Sequence, residues 1–197
     1  MYYRDDREFT DEQHKRNAIP YIYDKLGWTE ISVGEELNKY RDTCSAIDYE
    51  FTDQKGKKIF VQERFRKSNY SNYNDFTLRY ERPNNEDETE QKSEFYKIKS
   101  FLHRNNDSFI FVYGFEPPKN RPIQKFAVID LRALFKHIAD KGICILEADI
   151  KIPNNCKLEA PIIHNKDSSS NFVCFDVNKL NEVFDDVIIW QIGFNGE

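Results

Sequence analysis

Hydrophobic and polar positions alternate most regularly between residues 46 and 81. Three runs there read as strands, because side chains on an extended chain point to opposite faces in turn. They are Ala46-Ile47-Asp48-Tyr49-Glu50-Phe51, Ile59-Phe60-Val61-Gln62-Glu63-Arg64-Phe65-Arg66 and Asp75-Phe76-Thr77-Leu78-Arg79-Tyr80-Glu81. Asp53-Gln54-Lys55-Gly56 between the first two is a turn signal, so a hairpin is expected. By parity, Asp48 and Glu50, then Gln62, Arg64 and Arg66, then Asp75, Thr77, Arg79 and Glu81 fall on one face. Side by side, the three strands would give a sheet with one apolar face and one crowded with Asp, Glu, Gln and Arg. Glu63 breaks the pattern by falling on the apolar side. A carboxylate there is costly unless it is paired or bound to a metal, so either a bulge turns it round or a partner lies beneath it.

Around this segment a helical pattern runs from Phe9 to Leu26, with Pro20 expected to break or restart it and Gly27 to cap it. Glu35 to Asp42 reads as a short polar helical turn. Asn84 to Glu90 is an acidic loop feeding a helix whose stripe is Phe95, Ile98 and Leu102. Phe109 to Tyr113 is a wholly apolar strand, and Phe126 to Asp130 is another that leads into a helix through Ala139. Beyond Lys141, strands at Ile143–Ile152 and Phe172–Phe175, a short helix near Leu180 and a loop at 165–171 complete the outline. These elements give an α/β protein with a mixed central sheet flanked by helices. It is read as one domain, with a core over 1–130 and a C-terminal extension over 131–197.

Composition narrows the class. Sixteen Phe and eleven Tyr among 197 residues are ample for one sizeable core. No stretch approaches the roughly 20 apolar residues of a membrane helix, and the charged N-terminus has no secretory h-region. Cys44, Cys144, Cys156 and Cys174 are irregularly spaced and contain no Cys-x-x-Cys, so they read as reduced core residues in a cytoplasmic protein. Net charge is −5, which argues against a nucleic-acid partner until its distribution is considered. Lys55 to Lys67 holds six basic residues against Glu63 alone, so this segment carries +5 and the rest of the chain −10.

The bland reading of the polar face is contact with water, as in half-solvated antiparallel sheets. The chemical reading is phosphodiester hydrolysis, which needs carboxylates to hold a divalent ion and a cation to stabilise charge developing on phosphate. A hairpin offering Asp48 on one strand and Gln62 or Glu63 with Arg64 on the next meets that need. With its short turn, the run from Ala46 to Arg64 resembles the hairpin of the PD-(D/E)xK, or restriction-endonuclease-like, superfamily. Asp48 matches the family's Asp, Gln62 its Glu or Gln, and Arg64 stands where Lys is usual. Arg64 keeps the charge but holds its proton too tightly to serve as a base.

That resemblance covers about residues 10–130, where the order helix, three strands, helix, strand follows the family core. It implies an endonuclease using Mg²⁺ or Mn²⁺ on DNA, in a restriction, repair or phage-defence setting. Asp48 and Glu63 or Gln62 would hold the metal, with Glu36 (or its neighbour Glu35) as a further acid, and Arg64 would stabilise the transition state. Lys57, Lys58, Arg66 and Lys67 would contact phosphates, with Tyr70 and Tyr73 stacking on bases or sugars. Asp75 reads either as a further ligand or as a strand-capping acid. Cutting two strands favours two sites and hence a homodimer. The alternative is a catalytically inactive relative that binds nucleic acid or protein.

Overall fold

The computed structural model describes residues 3–81, 93–119, 121–146, 152–166 and 170–194. The acidic stretch Asn84 to Glu90 lies outside them, as do residues 147–151 and 167–169 of the C-terminal readings and the side chain of Glu35. The chain opens with helix α1 (Tyr3–Gln13), which continues as a π-helix (His14–Tyr23) and ends in α2 (Asp24–Leu26). Pro20 sits inside the π-helix and does not break it. Gly27 closes the helix in the left-handed conformation, φ 70°, as its lack of a Cβ permits.

Strand β1 (Thr29–Glu30), helix α3 (Glu35–Ser45), and strands β2 (Tyr49–Thr52) and β3 (Lys58–Arg66) follow. β2 and β3 form the expected antiparallel hairpin, with Tyr49 opposite Val61. Its turn is held by Asp53, whose Oδ1 accepts from Lys55 N at 2.9 Å and Lys57 N at 2.8 Å. Next come β4 (Asp75–Glu81), α4 (Glu94–Arg104), β5 (Ser108–Phe115), β6 (Phe126–Asp130) and α5 (Leu131–Ala139). The last part contains β7 (Ile143–Leu146), β8 (Leu158–His164), β9 (Asn171–Asp176), α6 (Val177–Val183) and β10 (Ile188–Ile192).

Two sheets result, ordered β1-β2-β3-β5-β6-β10 and β4-β9-β8-β7. The first is mixed, because β3 runs parallel to β5 while its other pairings are antiparallel. β4 does not lie beside β3. It pairs with β9 in the second sheet, which corrects the expectation of three consecutive neighbours.

The picture of one apolar and one polar face is corrected with it. Phe60, Phe109, Phe111 and Ile129 pack on one side of the first sheet with Phe76 and Leu78 of β4 and Phe95 and Ile98 of α4. Ile59, Val61, Phe65, Ile110 and Val112 pack on the other side with Ala18, Ile22 and Tyr23 of the N-terminal helix. A sheet covered on both faces calls for apolar runs rather than alternation, which is why β5 is buried along nearly its whole length. Gln62 and Glu63 of β3 are therefore interior residues with partners.

Candidate functional site

The register pairing Tyr49 with Val61 puts Asp48 opposite Gln62, one step before β2 begins. Asp48 N donates to Val61 O at 2.9 Å, and Asp48 Oδ2 accepts from Glu63 N at 2.7 Å. Gln62 and Arg64 point to the same side of β3 and meet Glu94, the first residue of α4. Gln62 Nε2 donates to Glu94 Oε1, and Arg64 Nη2 donates to the same oxygen at 2.7 Å. Glu94 Oε2 accepts from Arg79 N of β4 at 2.7 Å. Arg64 Nη1 donates to Thr77 O at 2.9 Å, and Arg66 Nη2 to Thr77 Oγ1 at 2.7 Å. Glu94 thus ties β3, β4 and α4 together at one point. Ser93 caps the helix there, its side chain accepting from Tyr96 N.

Charge on this side is unbalanced. Burial pushes the Asp48 carboxyl up to about 8 against the opposing hydrogen bond from Glu63 N, and the negative charges of Asp42, Glu63 and Glu94 add to the rise. At neutral pH Asp48 is mainly protonated. Arg64 is half-buried, which disfavours its charge, but Glu94 more than compensates and raises its pKa. Gln62 Oε1 is buried without a hydrogen-bond partner. A few residues away Glu50 is held ionised: burial works against it, but Lys58, at 2.8 Å, and Arg41 together lower its pKa.

Glu63 faces the opposite side, as strand parity requires, and no bulge turns it. Its side chain is 0% exposed and lies 3.0 Å from His14 Nδ1, while Tyr23 Oη donates to it at 2.5 Å. His14 stacks on Tyr49 with centroids 3.7 Å apart and reaches Glu30 Oε2 at 3.4 Å through Nε2. Burial works against protonation of His14, but the hydrogen bond and charge of Glu63 outweigh it and raise the pKa. Tyr23 is driven well above the usual phenol range by burial and by Glu63. A partner underneath is therefore the answer to Glu63, and it removes Glu63 from the face that carries Asp48 and Arg64. Glu36 is exposed on α3. The expected ligand set of Asp48, Glu63 and Glu36 is not brought together.

The residues expected to meet nucleic acid divide between the two ends of β3, roughly 26 Å apart at about 3.3 Å per residue. Lys57 and Lys58 stand at the hairpin turn, Lys58 engaged by Glu50. Arg66, Lys67, Tyr70 and Tyr73 stand at the other end, with Arg66 5.8 Å above the Tyr70 ring. Tyr70 and Tyr73 are 43% and 59% exposed. Asp75 accepts a hydrogen bond from Cys174 Sγ at 2.6 Å across the β4–β9 pair, which is a strand-pairing role.

Among the described residues no group of three or more His, Cys, Asp and Glu is placed to hold a metal. Asp48 and Glu94 nonetheless supply two carboxylates close enough for their charges to interact, and Gln62, which bonds Glu94 through its Nε2, has its Oε1 buried and unpartnered. That donor set suits Mg²⁺, which takes one or two carboxylates and keeps several waters. Glu94 is the residue that sequence pattern did not single out; its one signal was the Ser93-Glu94 helix start before the Phe95 stripe. Comparison with known proteins gives no match to a family model, a curated protein or a solved structure. No helix among the described residues is long and apolar enough to cross a membrane.

Proposed function

We propose that this chain is a metal-dependent nuclease that hydrolyses phosphodiester bonds of DNA at the Asp48–Gln62–Arg64–Glu94 cluster. The observation that carries the reading is the shared bonding of Gln62 and Arg64 to Glu94, on the face where Asp48 stands opposite Gln62. Gln62 lacks the charge that a ligand at its position would contribute, and Glu94 restores a carboxylate there from α4. The order of N-terminal helix, β1, β2, β3, α4 and β5 further supports a restriction-endonuclease-like core, with β4 diverted to the second sheet.

A bound Mg²⁺ or Mn²⁺ would polarise the phosphate and lower the pKa of an attacking water. Asp48 and Glu94 would hold it with Gln62 Oε1. The charge of a bound divalent ion would favour the ionised form of Asp48 against the neighbouring carboxylates Asp42, Glu63 and Glu94, so Asp48 would give up its proton on binding. Arg64, 25% exposed in its side chain, is fixed by Glu94 and Thr77 and would offer positive charge to the phosphate oxygens. It acts electrostatically and not as a base. Arg66 and Lys67 extend positive charge beyond the cluster, and the exposed Tyr70 and Tyr73 offer stacking faces.

One observation favours a second reading. Arg64 and the Gln62 amide are already satisfied by Glu94, as in a protein that keeps the scaffold for binding alone. The deciding assay is cleavage of plasmid and single-stranded DNA with Mg²⁺ or Mn²⁺ by the wild type and by Asp48→Ala. The nuclease reading requires divalent-dependent cleavage that Asp48→Ala abolishes. Salt-sensitive DNA binding without cleavage selects the binding module.

A further inference from the structure

We propose that two strapped loops beyond the end of β3 form a platform for an unpaired DNA strand, so that single-stranded DNA is the form this chain takes. The inference rests on the reading of the chain as one that acts on DNA, and adds to it the strand form and a second loop. The first loop, residues 67–74, follows β3; the second, residues 116–125 with Asn120 aside, joins β5 to β6. They meet because β3 and β5 run parallel with Arg66 beside Phe115. Glu116 N donates to Arg66 O at 2.7 Å, and Phe115 N donates to Lys125 O at 3.0 Å, which closes the base of the second loop. Lys125 Nζ then crosses to the first loop, donating to Ser71 O at 2.8 Å and to Asn74 Oδ1 at 2.7 Å.

The charge of the two loops is one-sided. Arg64 to Asn74 holds three basic residues and no acid, and Pro117 to Lys125 holds three more and no acid, in a chain whose net charge is −5. A local concentration of this kind attracts a polyanion in spite of the overall charge. Lys67, Lys119 and Arg121 are exposed and can meet phosphates, while Lys125 braces the loops. Arg66 lies two residues along β3 from Arg64, about 6–7 Å, so the platform borders the cluster to which Arg64 belongs.

The tyrosines decide between strand forms. Tyr70 and Tyr73 stand at the two ends of a tight turn closed by Tyr73 N donating to Tyr70 O at 3.1 Å, and they are 43% and 59% exposed. The Arg66 guanidinium, anchored on Thr77 Oγ1, lies over the Tyr70 ring at 5.8 Å from its centroid. Rings exposed beside cations offer stacking faces to bases of any sequence. A base has its own face free only when it is unpaired and unstacked, so a duplex could use the lysines and arginines but not the rings. Loops already tied together need little further ordering on binding.

The test is fluorescence anisotropy of the native full-length chain with a short labelled oligothymidylate and with a duplex of the same length. EDTA is present, so neither metal nor cleavage contributes. The single strand should bind about tenfold or more tighter than the duplex, and Tyr70→Ala and Tyr73→Ala should each weaken its binding by roughly five- to a hundredfold. Tyr70→Phe and Tyr73→Phe, which keep the ring, should bind as the wild type does. Replacing Lys119 and Arg121 together by alanine should reduce the slope of log affinity against log salt by about 1.4. Equal or tighter binding of the duplex, or alanine variants of the tyrosines that bind as the wild type does, would overturn the proposal. Binding of neither oligonucleotide would overturn it too, and would turn the basic patch over to an acidic protein partner. Tyrosine-dependent single-strand binding in EDTA without cleavage in Mg²⁺ would defeat the nuclease reading and leave the platform standing; divalent-dependent cleavage without single-strand preference would do the reverse.

Discussion

Glu94 of α4 accepts hydrogen bonds from Gln62 and Arg64 of β3 on a single carboxylate oxygen, while its other oxygen takes the Arg79 main-chain N–H of β4. One side chain thereby joins two sheets and a helix. It also makes the cluster beside Asp48 a polar island in an aromatic core.

Glu94→Ala is expected to destabilise the fold by about 2–4 kcal/mol, because it strands a half-buried guanidinium and a buried amide without their acceptor. Glu94→Gln, which keeps an acceptor oxygen, should cost less. Urea unfolding of the three proteins checks the order. Equal midpoints for wild type and Glu94→Ala would deny the carboxylate its structural role.

Asp48 gives stability a definite pH slope. Its folded value of about 8 lies above the ordinary 3.8, so the folded state retains a proton that the unfolded state releases. Stability therefore falls as pH rises from about 3.8, and the loss is complete above about 8. Asp48→Asn should flatten this slope and gain on the order of 2 kcal/mol at pH 8 in a metal-free buffer. Melting curves from pH 4 to 9 show whether it does. An unchanged slope in the variant would mean that Asp48 ionises freely.

His14 contributes over a higher window. Its folded value is raised above 6.5, so the pairing with Glu63 contributes fully below 6.5 and is lost as pH rises through the folded value. Between pH 4 and 6 only Asp48 of these two groups bends the curve, which separates them. NMR titration of the His14 ring should give a midpoint above that of an exposed histidine. A midpoint below 6.5 would contradict the paired geometry. Tyr23→Phe, which removes the other donor to Glu63, should cost about 1–3 kcal/mol by the same melting measurement.

Gly114 tests the core on the Glu63 side of β3. A Cβ there would fall 2.6 Å from Cε1 of Phe65 and 3.2 Å from Cδ1 of Ile123. Gly114→Ala should destabilise by about 1–3 kcal/mol through overpacking, read from its denaturation midpoint. A neutral effect would require the Phe65 ring to have room to move.

Much of this was legible in the sequence. Alternation placed Asp48, Gln62 and Arg64 on one face and Glu63 on the other, and the Asp53–Gly56 turn fixed the hairpin between them. Parity reports which side a residue takes but not what covers that side. Hence β4, with the same alternation as its predecessors, was read into the wrong sheet, although its partner β9 lies about a hundred residues downstream. The same limit hid Glu94, since nothing local to Glu94 says that Gln62 and Arg64 will stand above it. Helical pattern found the N-terminal element, but the proline rule applied to it presumed α geometry. In β8 the interior Pro161 masks a strand that pairs in parallel with β7.

The central claim is that Asp48, Glu94 and Gln62 form one divalent-ion site, and calorimetric titration of the native protein with Mn²⁺ at pH 6.5 tests it most directly. Repeating the titration in buffers of different ionisation enthalpy counts the protons released. The account predicts one site whose filling releases a proton, with binding lost in Asp48→Asn while the fold is retained. No Mn²⁺ binding by the wild type, or equal binding by Asp48→Asn, would contradict it.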